Sequence, residues 1–143
     1  MILHAGLIAR FDPPCWRGVL IEGPSGSGKS DLALRAMGAG WSLVADDRCL
    51  IWTASGRLYG RAVDSLKGLI ETRGLEVSPA PARDFARIAL VVRCVGAAEV
   101  ERIPDNETVE LLGQRLPGFK IVALEPSAPA KLGLALTRLG LKP

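Results

Sequence analysis

The stretch Gly23-Pro24-Ser25-Gly26-Ser27-Gly28-Lys29-Ser30 decides the fold, because it matches the phosphate-binding P-loop pattern G-x-x-x-x-G-K-[ST] at every fixed position. Its glycines let the backbone wrap closely around a polyphosphate, so that the N–H groups of the loop point at the anion. We expect Lys29 to reach the β- and γ-phosphates and the Ser30 hydroxyl to ligate Mg²⁺. The loop from Gly23 to Ser30 is therefore predicted to bind a nucleoside triphosphate together with Mg²⁺.

The residues on either side of the loop have the character that a P-loop needs. Arg17–Glu22 is an apolar run typical of a strand, and Ser30–Met37 is typical of a helix that Gly38 and Gly40 can end. The start of that helix adds a positive dipole end to the anion site. The alternative is a Gly/Ser-rich turn that resembles a P-loop by chance. The order strand, loop, helix favours the nucleotide site.

Composition narrows the class of protein. The chain has 143 residues, of which 48% are hydrophobic and 23% charged, which predicts one globular domain over residues 1–143. The formal net charge is a mild +3, Lys and Arg form no block, and aromatic residues make up only 5%. We therefore predict no nucleic-acid partner, because such partners are bound by basic patches and stacking platforms.

The cysteines and the apolar runs bear on the cellular compartment of the protein. Cys15, Cys49 and Cys94 are odd in number and far apart, so reduced thiols in a cytoplasmic protein are the simplest interpretation. The N-terminus lacks the charged segment and long apolar core of a signal peptide. No apolar run approaches the length of a membrane span, so we expect no membrane partner.

The remaining pattern is rich in strands. The segments of strand character are Leu3–Ala9, Gly18–Glu22, Ser42–Ala45, Ile88–Cys94, Thr108–Leu112 and Lys120–Leu124. A hairpin is predicted where Cys49–Thr53 and Arg57–Gly60 flank Ala54–Gly56, and a further hairpin is expected at the start of the chain.

Other segments are helical, irregular or ambiguous. Pro129–Leu139 is predicted to be a helix, while Ser78–Ala82 and Gly113–Gly118 are predicted to be connections. Leu66–Thr72 is compatible with helix or strand. Because the usual P-loop enzyme alternates strand and helix, this sequence predicts an α/β fold with a mixed, strand-rich sheet instead.

Asp46 and Asp47 close the strand that follows the P-loop helix. A carboxylate at the end of such a strand can hold Mg²⁺, and an adjacent one can accept a proton from an attacking hydroxyl. A strand-to-strand turn is the alternative for Asp-Asp before Arg48. The preceding P-loop favours a catalytic site.

Taken singly, the other polar residues are less informative. Glu71 and Arg73 would share one face of a strand, which is also the pattern of a solvated ion pair. His4 is the only histidine, and its strand would lie beside the P-loop strand if the first hairpin forms. Arg102 has the character of an ordinary surface arginine.

Together these segments resemble the HPr kinase/phosphorylase family, whose members phosphorylate a serine of the phosphocarrier protein HPr. The matching blocks are His4-Ala5, Gly23 to Asp31, Leu43-Val44-Ala45-Asp46-Asp47-Arg48, Glu71-Thr72-Arg73-Gly74-Leu75, and more weakly Glu101-Arg102-Ile103 with Glu110-Leu111-Leu112-Gly113. The resemblance covers roughly residues 4–125. It implies the catalytic-domain fold that this family shares with phosphoenolpyruvate carboxykinases.

The resemblance also implies roles for individual residues. ATP and Mg²⁺ would be bound by the P-loop, and Ser30, Asp31 and Glu71 would form the metal site. Asp46 would be the general base toward the acceptor serine and the acid in the reverse reaction. The catalytic set would be completed by Asp47, His4, Arg73 and Arg102.

The sequence departs from the family pattern in several places. The resemblance is to the short, catalytic-domain-only form of the family. Glu76 replaces the last glycine of the family's E-I-R-G-L-G signature, whose start Glu71 to Leu75 resemble, and Ala128-Pro129-Ala130-Lys131 replaces a P-G-R-N stretch. HPr docking, the family hexamer and the dephosphorylating activity are therefore left open. A P-loop kinase with another acceptor, or a nucleotide-binding regulator without transfer activity, is the alternative function.

Overall fold

The computed structural model describes residues 1–102 and 107–143. Within them it contains eleven strands and two α-helices. The strands are β1 Ile2–Leu3, β2 Ala5–Asp12, β3 Cys15–Glu22, β4 Ser42–Ala45, β5 Cys49–Ala54, β6 Arg57–Ala62, β7 Leu69–Thr72, β8 Glu76–Pro79, β9 Ala86–Cys94, β10 Glu107–Leu111 and β11 Gln114–Ile121. The helices are α1 Lys29–Gly38 and α2 Ala128–Leu139, and short 3₁₀ turns occupy Asp64–Leu66 and Ala97–Glu99.

Nine strands form one mixed sheet. Its main path is β1-β5-β6-β9-β3-β2-β4, and β11 pairs with both β9 and β10. β3, β9 and β11 run parallel, and β4 shares their direction because β2 lies antiparallel between β3 and β4. The carboxyl ends of β4, β3, β9 and β11 therefore meet at one edge of the sheet, with the P-loop near its middle.

Local turn signals place both predicted hairpins correctly. β2 and β3 pair in register from Ala5↔Glu22 to Asp12↔Cys15, so the chain does open with a hairpin around the two prolines. β5 and β6 pair from Cys49↔Ala62 to Ala54↔Arg57, with Ser55 and Gly56 at the turn, both at positive φ.

The connections are shorter than the sequence predicts. Ser78–Ala82 is not wholly a loop, because β8 continues to Pro79 and pairs with β7, where the edge position tolerates a proline. The segment Leu66–Thr72, which the sequence leaves compatible with helix or strand, begins at the last residue of a 3₁₀ turn and continues as strand β7 from Leu69. Gly113–Gly118 is mostly strand, because β11 begins at Gln114 and pairs with β10.

The core lies on both faces of the sheet. Because side chains alternate along a strand, Ile8 and Ile21 face the helices, whereas Leu7 and Leu20 face the opposite way. The helix side is closed by Leu32 of α1, by α2 and by Ile70 of β7. The other side is covered by the curled β5–β6 end of the sheet. The central strands beneath the P-loop are thus packed on both faces of the sheet.

Helix α1 begins directly at the end of the loop. Its apolar residues Leu32, Ala33 and Ala36 are buried, and the helix ends where Trp41 N–H donates to Ala36 O at 3.1 Å beside Gly40 at φ 99°. The N-terminus of α1 lies at the sheet edge where β3 and β4 end, because the loop follows β3 directly and Ser30 donates a hydrogen bond to Asp46 after β4.

In the part of the chain that the structure describes, no helix has the length and apolar character needed to cross a bilayer.

Candidate nucleotide and phosphoryl-transfer site

The P-loop backbone depends on its glycines. Gly23, Gly26 and Gly28 have φ values of 155°, 80° and 94°, which side-chain-bearing residues rarely adopt. A Cβ at Gly23 would lie 2.7 Å from Ser27 Oγ, and one at Gly28 would lie 2.9 Å from Leu124 Cδ2. Two glycines are thus required by conformation and by space.

The polar groups of the loop suit an anion. The Ser27 hydroxyl is buried and forms no hydrogen bond of ordinary geometry with a described residue, although it lies close enough to the Cys94 thiol to oppose, in part, the rise in pKa that burial causes there. Lys29 Nζ donates to Gly23 O at 2.6 Å and to Pro24 O at 3.1 Å, so its charge lies directly across the loop. An ammonium group and an unpaired hydroxyl over a glycine-rich turn fit a polyphosphate.

Asp46 connects the P-loop helix to the end of β4. It is only 5% exposed, and its Oδ1 accepts a 2.8 Å hydrogen bond from Ser30 Oγ. Its Oδ2 accepts a 2.9 Å hydrogen bond from the backbone N–H of Glu71 in β7. Both carboxylate oxygens are therefore held by groups from two other elements.

Asp47 has a different environment from its neighbour. It is exposed and has a φ of 67°, and Arg48 N–H donates to Asp46 O at 2.7 Å across it. The chain thus reverses tightly about Asp47. A left-handed residue other than glycine costs of order 1 kcal/mol and often marks a functional position. The reversal projects Asp47 from the sheet edge while Asp46 stays buried.

The donor set at Ser30 fits a hard cation. A hydroxyl and a carboxylate in hydrogen-bond contact supply oxygen ligands, and Mg²⁺ typically takes one or two protein ligands besides phosphates and water. No group of three or more His, Cys, Asp or Glu side chains suited to a metal occurs within residues 1–102 and 107–143.

The side chains of the two other predicted metal ligands, Asp31 and Glu71, make no described hydrogen bond or ion pair with Ser30 or Asp46. Asp31 has a side chain 54% exposed, and its Oδ2 accepts a 2.8 Å hydrogen bond from Arg35 on the flank of α1 that faces away from β4. Glu71 contacts Asp46 through its main-chain N–H, while the residue itself is exposed. Both roles stay predictions.

The three remaining predicted residues are all exposed. His4 is exposed and directly precedes Ala5, whose partner across the hairpin is Glu22, so it lies at the P-loop edge. Arg73 is exposed in the turn between β7 and β8. Arg102 is exposed and precedes residues 103–106, and Ile103 of its matching block lies outside the described residues. The described contacts join none of the three to Asp46.

The structure adds a segment that the sequence analysis missed. Arg35 of α1 donates to the carbonyls of Ala123 and Glu125, which ties the turn after β11 to the P-loop helix. The spacing of Asp31 and Arg35, four residues apart, was a readable signal for their ion pair. Nothing in the sequence pointed to their contact with a turn about 90 residues later.

Cys94 lies beneath the loop, at the end of β9. It is 3% exposed, and a Cβ at Gly23 would come within 2.9 Å of its Cβ. Burial raises the pKa of the Cys94 thiol, although the charge of Lys29 and the neighbouring Ser27 hydroxyl act in the opposite direction. Cys94 is therefore a packing residue of the site.

Comparison with known proteins agrees with this architecture. The family model described as HPr Serine kinase C-terminal domain matches residues 3–122. HPr kinase/phosphorylase of Streptococcus thermophilus LMD-9 is 34% identical over 117 residues, covering 73% of this chain and 38% of the relative. The Bordetella pertussis protein of the same name is 39% identical over 117 residues, covering 73% of this chain and 37% of its own length.

A solved structure has the same fold. The Hpr(Ser) kinase/phosphatase from Coxiella burnetii superposes with a TM-score of 0.83 at 20% sequence identity, covering 96% of this chain and 88% of that one. The predicted α/β fold with a mixed, strand-rich sheet is thereby confirmed. The chain spans less than two fifths of the curated relatives' length. On the match over residues 3–122, this chain belongs to the HPr serine kinase C-terminal domain family.

Proposed function

We propose that this protein is a serine kinase that transfers the γ-phosphoryl group of ATP, with Mg²⁺, to an HPr-like phosphocarrier protein. The observation that carries the proposal is the 2.8 Å hydrogen bond between Ser30 of the P-loop and the buried carboxylate of Asp46. It brings a phosphate-binding loop and an acidic strand end together, as phosphoryl transfer requires. The family membership supplies the acceptor class.

Binding of the phosphates falls to the loop. Lys29 would exchange its bonds to Gly23 O and Pro24 O for phosphate oxygens, and Ser27 would gain a partner for its buried hydroxyl. Loop N–H groups and the α1 N-terminus would add further donors. Positioning and charge stabilisation of this kind supply most of the catalysis in phosphoryl transfer.

Ser30 and Asp46 would hold Mg²⁺. When bound, the ion neutralises charge on the transferring phosphates. Asp46 suits this task because Ser30 and the Glu71 N–H fix both of its oxygens in place. Asp31 and Glu71 would act from farther out, through Arg35 and through the backbone respectively.

The general base was predicted at Asp46, but the environment of the two carboxylates favours an exchange of roles. Asp46 is 5% exposed with both oxygens bonded, whereas Asp47 is exposed on the reversal at the same strand end. We assign the base to Asp47. It would take the proton from the acceptor serine as its oxygen bonds to the γ-phosphorus and the bond to ADP breaks.

The remaining predicted residues would stabilise the negative charge on the phosphoryl group during transfer. His4, Arg73 and Arg102 are exposed and would approach the phosphates in the complex with acceptor. In the reverse direction, inorganic phosphate would attack phosphoserine, release pyrophosphate, and leave the serine oxygen to regain its proton from the same aspartate. Retention of this phosphorylase reaction is part of the proposal.

Two further properties belong to the proposal. Cytoplasmic location accords with three unpaired cysteines. Assembly into a homo-oligomer, a hexamer by family resemblance, would bring copies of this domain together. The alternative function is a P-loop kinase with a different acceptor, or a regulator that binds nucleotide without transfer.

The test is transfer of labelled γ-phosphate from Mg-ATP to purified HPr, alongside HPr whose acceptor serine is replaced by alanine. Label on the unaltered HPr alone is the expected result. Adding phosphate to the labelled product then tests the phosphorylase reaction. ATP binding with label on neither protein would contradict the acceptor assignment and favour the alternatives.

A further inference from the structure

The inference concerns the nucleoside of ATP, and it rests on the proposed function. The carboxyl ends of four strands lie along one sheet edge in the order β4, β3, β9, β11, with antiparallel β2 between the first two. Asp46 and Asp47 follow β4, on one side of the P-loop. Since metal binding and proton transfer occur at the γ-phosphate, the nucleoside end points to the other side, toward β9 and β11.

On that side, the exposed apolar side chain of Leu124 lies against the loop. Leu124 follows β11, and a Cβ at Gly28 would come within 2.9 Å of its Cδ2 and 3.3 Å of its Cγ. Yet the residue is 66% exposed, while its neighbour Ala123 is only 2% exposed. Leu124 thus packs one edge on the P-loop and leaves most of its surface exposed on the β11 side of the loop.

The turn that carries Leu124 is firmly held. Arg35 donates to Glu125 O at 3.0 Å and also to Ala123 O, so it fastens the backbone on both sides of the leucine. Glu125 N–H donates to Val122 O at 3.1 Å, and Lys131 pairs with the Glu125 carboxylate at 2.7 Å. An exposed apolar side chain on such a held turn suits a flat ligand, because little backbone freedom remains to be lost on binding.

We propose that Leu124 is the apolar wall of the nucleoside subsite, contacting the base or ribose of ATP. Contact with an apolar side chain uses the flat face of the base and does not depend on its edge groups. The subsite therefore contributes affinity for nucleosides in general.

Calorimetric titration with Mg-ATP and with Mg-tripolyphosphate separates the nucleoside from the phosphates. For Leu124→Ala, we expect ATP affinity to fall about five- to tenfold and tripolyphosphate affinity to stay within about twofold. Leu124→Phe restores ATP binding, since its ring offers a comparable surface. GTP follows ATP in each variant. Leu134→Ala is the matched control, because Leu134 is 61% exposed on α2 away from the loop.

Each other outcome has a definite meaning. Unchanged ATP affinity in Leu124→Ala, with ATP still bound by the wild type, overturns the subsite and leaves the kinase proposal intact. An equal loss for ATP and tripolyphosphate also overturns it, because Leu124 would then act only by shaping Gly28. A wild-type protein that binds neither ligand refutes the proposed function, and the subsite falls with it.

Discussion

Ser30 Oγ donates a 2.8 Å hydrogen bond to Oδ1 of Asp46, which joins the P-loop helix to the end of β4 across the intervening strand β2. The same carboxylate accepts a 2.9 Å hydrogen bond from the Glu71 N–H, so the β7–β8 hairpin is attached at the same point. Asp46 is thus the structural junction of three sequence blocks that carry the family resemblance. The adjacent Asp47 is left exposed at that junction.

Substitutions at the two aspartates should have different effects. Asp47→Asn is expected to lower kcat by about 10²- to 10⁴-fold with little change in ATP binding, because it removes the proton acceptor but tolerates the left-handed backbone. Asp46→Asn should weaken Mg-ATP binding and destabilise the fold by about 1–3 kcal/mol, since a buried amide cannot accept both hydrogen bonds. Kinase kinetics and denaturant unfolding of both variants provide the measurement.

The reverse pattern would restore the first assignment. If Asp46→Asn binds Mg-ATP normally and folds as stably as the wild type but does not transfer phosphate, Asp46 is the base.

Lys29→Ala should abolish phosphoryl transfer, because the loop would lose the cation that compensates the β- and γ-phosphates. We expect a drop in kcat of at least about 10²-fold with HPr as acceptor. Circular dichroism should be unchanged, since Lys29 is partly exposed and bonds only to loop carbonyls within the described chain. Transfer at the wild-type rate would remove the P-loop argument.

Gly28→Ala should impair nucleotide binding beyond the cost of backbone strain. The residue has a φ of 94°, and its new methyl group would lie 2.9 Å from Leu124 Cδ2. We expect ATP affinity to fall at least about tenfold, with a loss of stability of about 1–2 kcal/mol. Gly26→Ala is the matched control, since Gly26 lies in the same loop with a φ of 80° but has nothing within 4 Å of the added methyl. Equal effects in both variants would refute the role of Leu124 contact.

The three thiols should differ in reactivity. Burial raises the pKa of Cys49 to about 12, and burial also raises the pKa of Cys94 despite the charge of Lys29. Both stay protonated at pH 8, so a disulfide reagent should modify only the half-buried Cys15 rapidly. Cys15→Ser should remove the rapid phase, and a rapid phase that persists would contradict this assignment.

Thiol burial also predicts alkaline destabilisation. Because the folded-state pKa of Cys49 lies above the unfolded value, its contribution to stability is complete below about pH 8 and is lost as pH rises above it. Unfolding free energies between pH 8 and 10 should fall less steeply in Cys49→Ala than in the wild type.

Asp12 should contribute to resistance against acid. Burial raises the pKa of Asp12, but hydrogen bonds and charge from Arg10 and Arg17 outweigh it, so the net pKa lies below 3.8. Its contribution is therefore complete above the unfolded pKa and is lost as pH falls through the lower folded value. Asp12→Asn should cost about 1 kcal/mol at pH 7 and flatten the acid limb of the stability profile.

Asp64→Asn is the control for that experiment, since the Asp64 side chain is 91% exposed in its pair with Arg61. The same loss in both variants would contradict a special role for Asp12.

Two segments that the sequence predicts to be connections are partly or mostly strand, although each contains a proline. Pro117 lies inside β11, but parallel pairing with β9 begins only at Gly118, so its missing N–H interrupts no ladder on that side. Pro79 is tolerated because β8 is an edge of a two-stranded sheet. Local signals cannot reveal which side of a strand is unpaired.

The sequence by itself determined the P-loop, its helix, both hairpins and the strand-rich α/β class. These features depend on glycine conformation, apolar periodicity and turn residues within a few positions of one another. It also identified Asp46 and Asp47 as two adjacent carboxylates, one able to bind a metal and the other to accept a proton. Tertiary structure alone decided how they differ, because the Glu71 N–H that holds Asp46 comes from 25 residues away. Tertiary structure likewise placed Leu124 on Gly28, since parallel pairing of β11 with β9 brings together segments that no local pattern connects.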